Sequence, residues 1–182
     1  APADEVELRK CLNAALKLDS PVYIRIGKKG EEIVTKESTP FVIGKAVNLK
    51  RGNKVCLVGT GTIMPEVLKA ANLLEKQGIS TNVESFHTIK PLDSKTLKRL
   101  FSSFDVIAVV EEHSSIGGLF GAIAEWRASE KKSYSSRMLT FGTKDEFMHE
   151  VGSQKYARKK YGLHASNIAK KTLKAFQEYN QQ

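Results

Sequence analysis

Residues 109–126 have the sequence VVEEHSSIGGLFGAIAEW, in which an apolar run leads into two carboxylates, a histidine, a glycine pair and a helix of small residues. The same order of apolar strand, turn and helix occurs twice upstream. VCLVG (55–59) precedes GTGTIMPEVLKAANLLEKQG, and ISTNVESF (79–86) precedes PLDSKTLKRLF. Continuous apolar strands separated by helices indicate a parallel sheet covered on both faces. We therefore predict an α/β fold, a three-layer sandwich with a mostly parallel sheet.

Hydrophobic periodicity predicts the remaining elements. The apolar residues from about Glu5 to Leu18 have helical spacing, and Pro21 ends that helix. Three further segments are predicted strands: PVYIRI (21–26), FVIGKAVNLK (41–50) and SRMLTFG (136–142). LHASNIAKKTLKAF (163–176) is predicted to form the last helix. In the helix after VCLVG, an apolar stripe is formed by Val67, Ala71 and Leu74. The last helix should point Ile168, Leu173 and Phe176 toward the core. Ser94 is the expected N-cap of the helix in PLDSKTLKRLF.

Composition limits the classes of function. Of the 182 residues, 41% are hydrophobic, but no apolar run is long enough to span a membrane and the start lacks a signal-peptide pattern. We expect a cytoplasmic protein without membrane contact. The net charge of +9 is spread over the whole chain without an arginine-rich stripe, which argues against nucleic acid as a partner. Cys11 and Cys56 are far apart and suggest neither a disulfide nor a metal pair.

Two loops at the predicted carboxyl edge of the sheet are candidate ligand-binding sites, because ligands of such folds bind there. Gly59 to Thr62 could present backbone N–H groups to a phosphate, with Glu84 as a ribose ligand, but Met64 stands where the dinucleotide fingerprint needs a third glycine. A tight structural turn explains the same residues.

The second loop follows Glu111 and Glu112, which should point to opposite faces of an extended strand and so cannot act as one pair. His113 could contact substrate or form a hydrogen bond near an interface. The small residues after it, led by Gly117, Gly118 and Gly121, permit close approach of a backbone from the chain's own sheet or from a second subunit.

The joint order of these motifs resembles the C-terminal domain of the transketolase family of thiamine diphosphate enzymes. The resemblance rests on the GKA opening strand, the GTGT turn, Lys90 to Asp93 (KPLD), Glu111 to His113 (EEH) and the GGLFG helix, and it extends from about Phe41 to Phe176. It implies that residues 41–182 form this domain. Residues 1–40 are similar to the end of the preceding pyrimidine-binding domain plus a linker.

The resemblance also implies roles for individual residues. Arg25 would help anchor a substrate phosphate, while His113, Gly117, Gly118 and Gly121 would contact adjoining domains. Thiamine diphosphate and a divalent metal, Mg²⁺ or Ca²⁺, would be held in the full enzyme by domains that precede this one, because neither their GDG…N motif nor their activating glutamate occurs in the chain. We therefore expect no cofactor on the chain alone, no catalysis by it, and a homodimer in the full enzyme.

Three interpretations stay open at this point. The first is a fragment or subunit of an enzyme that transfers a two-carbon ketol unit between sugar phosphates, or of one similar to deoxyxylulose-phosphate synthase. The second is a free-standing Rossmann-like nucleotide-binding module. The third is an interaction module, which the basic charge and the small-residue helix would serve.

Overall fold

The computed structural model describes residues 1–28 and 30–181, so Lys29 and Gln182 lie outside the described residues. The helices are α1 (Glu5–Ala15), α2 (Met64–Glu75), α3 (Ser94–Ser103), α4 (Leu119–Ser129), α5 (Gln154–Lys160) and α6 (Ala165–Tyr179). The strands are β1 (Val47–Lys50), β2 (Val55–Thr60), β3 (Thr81–Ser85), β4 (Val106–Ser114) and β5 (Arg137–Thr143). A 3-10 turn, Gly61–Ile63, joins β2 to α2.

The strands form one sheet in the order β1-β3-β2-β4-β5. All neighbours are parallel except β1, which runs antiparallel to β3 at one edge. Because side chains alternate across a strand, β2 sends Leu57 to one face and Val58 to the other. Leu57 packs in a core with α2 and α6, whereas Val58 packs in a second core with α3 and α4. The predicted three-layer α/β sandwich with a mostly parallel sheet is confirmed.

Two predicted strands are corrected. PVYIRI (21–26) forms no strand, and Tyr23 is 88% exposed. Its β-branched residues favour extended backbone, but no strand among the described residues pairs with it, and an unpaired strand has no ladder to stabilise it. FVIGKAVNLK is a strand only over Val47–Lys50.

One predicted helix N-cap is wrong, and one helix was not predicted. The N-cap of α3 is Asp93 and not Ser94: the Asp93 side chain accepts a hydrogen bond from the N–H of Thr96 at 3.1 Å. Helix α5 was not predicted at all. It buries none of its residues, so it carries no apolar stripe that periodicity could detect.

Asp4 attaches the amino-terminal helix to the segment that leads into the domain. One carboxylate oxygen caps α1 through the N–H of Glu7 at 2.9 Å. The other accepts hydrogen bonds from the N–H groups of Val34 and Thr35 at 2.8 and 2.7 Å. Burial alone would raise the pKa of Asp4, but these backbone hydrogen bonds stabilise the charged form and lower it. None of the described helices is long and apolar enough to cross a membrane.

Candidate functional site

The carboxyl ends of the parallel strands bring the candidate residues to one edge of the sheet. Thr62 follows β2, Glu111 to His113 lie just before the end of β4 at Ser114, and Gly142 lies near the end of β5. Pairing between β2 and β4 stops at Thr60 and Glu111. Between β4 and β5 the register shifts, because Val110 pairs with Phe141 but Ser114 pairs with Thr143. Residues 111–113 therefore lie in an irregular stretch of β4 where backbone groups are available to other partners.

Glu111 and Glu112 point in different directions, as predicted for neighbours on a strand. The buried Glu111 carboxylate accepts hydrogen bonds from the N–H groups of Leu119 at 2.7 Å and Phe120 at 2.9 Å, which are otherwise unsatisfied donors at the start of α4. Gly118 makes this contact possible, because a Cβ there would lie 2.0 Å from Glu111 Oε2. Glu111 thus fixes the position of α4.

Glu112 contacts α5 and the turn after β2. Its Oε2 accepts hydrogen bonds from Arg158 Nη2 at 2.8 Å, Thr62 Oγ1 at 3.1 Å and Gln154 Nε2 at 3.1 Å. Its Oε1 accepts one from Arg158 Nε at 3.3 Å. The two charged side chains are mostly buried, 15% exposed for Arg158 and 23% for Glu112. Arg158 and Gln154 were not predicted as site residues, since no sequence pattern couples them to Glu112 more than 40 positions away.

Arg25 lies at this edge of the sheet. It is exposed, and its Nη2 donates a 2.5 Å hydrogen bond to the backbone carbonyl of Glu112. The residues that follow it, Ile26 to Lys28, line a cavity of about 320 Å³ together with Glu31, Thr62, Leu8 and residues 2–5, whereas Arg25 itself is not among the lining residues. The structure thus brings Arg25 to the end of β4, and the residues directly after Arg25 line an open cavity.

His113 and two of the three glycines, Gly117 and Gly121, are at least partly exposed near the same edge. His113 is exposed, with Nδ1 3.0 Å from its neighbour's carbonyl, Ser114 O. Gly117 is exposed and has a φ of 76°, a backbone conformation that residues with a side chain rarely adopt. Gly118 is buried against Glu111, whereas nothing lies within 4 Å of a Cβ placed on Gly121.

The residues of the nucleotide interpretation do not come together as a pocket. Glu84 is buried and accepts hydrogen bonds from Arg99 at 2.6 Å and from Asn48 and Asn82 at 3.2 Å. Gly59 lies within β2, where a Cβ would be 2.5 Å from Met64 Sδ. Close packing inside the chain accounts for this glycine, and charge pairing accounts for Glu84.

Two buried titratable residues, Glu7 and His87, contact the amino terminus: the N–H of Ala3 donates to the Glu7 carboxylate and the Ala1 ammonium donates to the His87 carbonyl. Burial raises the pKa of Glu7 to about 7. Burial also lowers the pKa of His87 to about 4, and its ring stacks on Phe41 with 4.1 Å between centroids. Both groups therefore favour their neutral form inside the folded chain. Within residues 1–28 and 30–181, no group of three or more His, Cys, Asp or Glu side chains is placed to hold a metal ion.

Comparison with known proteins gives one consistent family. The family model for the transketolase C-terminal domain matches residues 44–168. A 1-deoxy-D-xylulose-5-phosphate synthase from Dictyoglomus thermophilum is 37% identical over 180 residues, which are 98% of this chain and 29% of that protein. A 6-deoxy-6-sulfo-D-fructose transketolase subunit from Clostridium sp. is 34% identical over 169 residues, which are 93% of this chain and 51% of the subunit.

A solved structure described as a split gene transketolase, inactive beta4 tetramer, has the same fold. It is 31% identical, superposes with a TM-score of 0.88, and is matched over 97% of this chain and 56% of its own. The chain spans about half the length, or less, of each of these relatives.

Proposed function

The chain belongs to the family of transketolase C-terminal domains, and from this membership we propose that it is one part of a thiamine diphosphate-dependent enzyme that transfers a two-carbon ketol unit between sugar phosphates. In this proposal residues 41–182 are the C-terminal domain, and residues 1–40 are the last part of the preceding pyrimidine-binding domain with its linker. The relatives, of which the chain covers about half or less, support a larger enzyme in which it is one portion.

The observation that carries the proposal is the contact between Arg25 and the carbonyl of Glu112. In this contact Arg25, to which the family resemblance assigns a substrate phosphate, lies at the EEH segment, and the residues that follow it line an open cavity. Guanidinium groups bind phosphate oxygens in pairs, so an exposed arginine at this position suits a sugar phosphate.

The family motifs that hold the cofactor, GDG…N and an activating glutamate, do not occur in this sequence, and among the described residues no three acidic, histidine or cysteine side chains lie together as a metal site. We therefore assign thiamine diphosphate and its Mg²⁺ or Ca²⁺ to the remaining domains or to an N-terminal subunit. The chain alone is then expected to be inactive. The description of the 31% identical relative as an inactive tetramer supports this expectation.

The chain's role in this proposal is interdomain and dimer packing. Large apolar side chains are exposed on the amino-terminal segment, including Leu16 (85%), Tyr23 (88%) and Ile26 (61%). Such a patch suits burial against the remaining domains. His113, Gly117 and Gly121 are the proposed second contact, where small residues allow a neighbouring backbone to approach; Gly118, expected there as well, is buried against Glu111 within the chain. We propose a homodimer of the full enzyme in the cytoplasm.

A condensation like that of deoxyxylulose-phosphate synthase is the alternative, and the relative from Dictyoglomus thermophilum favours it. The experiment that decides between them uses the chain assembled with its remaining domains. Supplied with a ketose phosphate and an aldose phosphate, the complex should exchange the two-carbon unit. Condensation of pyruvate with the aldose phosphate instead would assign the chain to the synthase branch.

A further inference from the structure

Glu112 joins two arginines that come from distant parts of the sequence. Its carboxylate holds Arg158 through two hydrogen bonds, and its backbone carbonyl holds Arg25. The carbonyl is available because residue 112 lies beyond the last pair of β2 with β4 and within the register shift between β4 and β5. One residue therefore presents a charged group to α5 and a neutral group to the amino-terminal segment.

Because the Glu112 carboxylate binds Arg158 and only the Glu112 carbonyl binds Arg25, Glu112 does not neutralise the charge of Arg25. Among residues 1–28 and 30–181, Arg25 forms no ion pair, so its hydrogen bond to a neutral carbonyl orients the guanidinium without compensating its charge. Most of its five N–H donors remain available to an anion. The Glu112 carboxylate, which could otherwise pair with Arg25, is occupied by Arg158, Thr62 and Gln154.

We propose that Arg158 is a positioning residue for the phosphate of the substrate: by holding the Glu112 carboxylate it keeps Arg25 on the Glu112 carbonyl with its charge open to the ligand. This inference rests on the proposed function, which places Arg25 at the substrate phosphate. In the absence of Arg158, the released carboxylate pairs with Arg25 and competes with phosphate for it.

A purely structural role for Arg158 would be to attach α5 to the sheet, and Arg158 Nη2 does donate to the Thr62 carbonyl at 3.0 Å. The two roles predict different kinetics. Loss of an anchor lowers activity toward every substrate. Capture of Arg25 by Glu112 raises KM only for substrates that carry the phosphate.

The kinetic test uses the chain assembled with its remaining domains. Arg158→Ala should raise KM for a phosphorylated ketose roughly tenfold with kcat within about twofold, and should leave KM for the unphosphorylated ketose unchanged. Arg158→Lys keeps the positive charge, so its KM for the phosphorylated ketose should lie between those of Arg158→Ala and wild type. An intermediate KM would show that the effect of Arg158→Ala is not caused by misfolding. The matched control is Arg51→Ala, an exposed arginine in the turn between β1 and β2 at the opposite edge of the sheet.

The double variant Arg158→Ala/Glu112→Gln gives the sharpest comparison. A neutral amide cannot form an ion pair with Arg25, so the double variant should bind the phosphorylated ketose better than Arg158→Ala alone. A KM in the double variant equal to or above that of Arg158→Ala overturns the inference, as does an equal rise in KM for both ketoses in the single variant.

A second measurement needs no turnover. In the ¹⁵N-labelled chain alone, the side-chain Nε–H signal of Arg25 should shift in Arg158→Ala and return toward its wild-type position in the double variant. An Arg25 signal that Arg158→Ala does not move overturns the inference. If the wild-type complex transfers no ketol unit, the proposed function fails, while this comparison still decides whether Arg158 controls Arg25.

Discussion

The carboxylate of Glu111 accepts a 2.7 Å hydrogen bond from the backbone N–H of Leu119, so a residue of β4 caps the helix that follows it. The next N–H of the helix, that of Phe120, donates to the other oxygen. The N-cap position itself is Gly118, which has no side chain for the purpose. The glycine and the glutamate are therefore two halves of one arrangement that orients α4 at the carboxyl edge of the sheet.

Removing the Glu111 carboxylate should destabilise the chain. Glu111→Ala leaves two N–H groups at the start of α4 without their acceptor, and we expect a loss of about 2 kcal/mol in the free energy of unfolding. Glu111→Gln keeps one acceptor oxygen and should cost less. Urea denaturation measures both. A loss in Glu111→Ala below about 0.5 kcal/mol, the range of ordinary surface changes, would contradict the capping role.

Gly118 and Gly121 form a matched pair for alanine substitution. A Cβ on Gly118 would lie 2.0 Å from Glu111 Oε2, and the carboxylate can only move by giving up its bonds to α4. Gly118→Ala should therefore cost about 2 kcal/mol of stability. Nothing lies within 4 Å of a Cβ on Gly121, so Gly121→Ala should be neutral or stabilise the isolated chain by up to about 1 kcal/mol.

The same alanine at position 121 tests the proposed interface. If a neighbouring domain approaches α4 closely there, Gly121→Ala should weaken assembly with the remaining domains although it does not destabilise the chain. Analytical ultracentrifugation of the mixture gives the answer. Assembly as tight as that of wild type would remove Gly121 from the proposed contact.

Asp4→Asn should release the segment that follows α1. The substituted amide still has one oxygen to cap α1, but its nitrogen cannot accept the hydrogen bonds that Val34 and Thr35 donate to Oδ2. We expect faster tryptic cleavage after the exposed Lys36, with the helix content of the chain retained. Glu5→Gln, at an exposed ion pair on the same helix, is the control. Unchanged cleavage in Asp4→Asn would show that other contacts hold the segment.

His87 should make stability depend on pH. Because burial lowers its pKa to about 4, the unfolded chain binds a proton at higher pH than the folded chain does. The contribution of a neutral His87 is therefore fully present above the unfolded pKa near 6.5 and is lost as pH falls from there toward 4. Glu7 has the opposite effect, since its pKa is raised in the folded chain: its contribution to stability is lost as pH rises from about 4.5 to about 7.

Comparison with His87→Phe isolates the histidine, because Glu7 is common to both chains and the stacking on Phe41 is retained. The free energy of unfolding of wild type relative to His87→Phe should rise by about 2 kcal/mol between pH 5 and pH 8. A difference that stays constant over that range would mean that His87 titrates as an ordinary histidine.

Sequence patterns predicted the elements that bury apolar side chains on a regular period. β2, β4 and α2 were found because their apolar runs are long and their neighbours are turns. PVYIRI was wrongly predicted as a strand because its composition is strand-like, while a strand also needs a hydrogen-bonding neighbour. α5 was missed because ion pairs and polar contacts hold it, and these leave no periodic signal.

The candidate site was predicted in part for the same reason. Glu111, Glu112 and His113 were identified by their place after an apolar strand, and their divergent directions follow from strand geometry. Arg158 belongs to a lysine- and arginine-rich run in which no single residue stands out. Its pairing with Glu112 depends on how α5 returns to the sheet, which is a tertiary relationship.

The most direct test of the account is an assay of two-carbon transfer from a ketose phosphate to an aldose phosphate, with thiamine diphosphate and Mg²⁺ present, on the chain alone and on the chain mixed with its remaining domains. We predict turnover only in the mixture, with a raised KM when Arg25 is replaced by alanine. Turnover by the chain alone, or a properly assembled mixture that transfers nothing, would contradict the account.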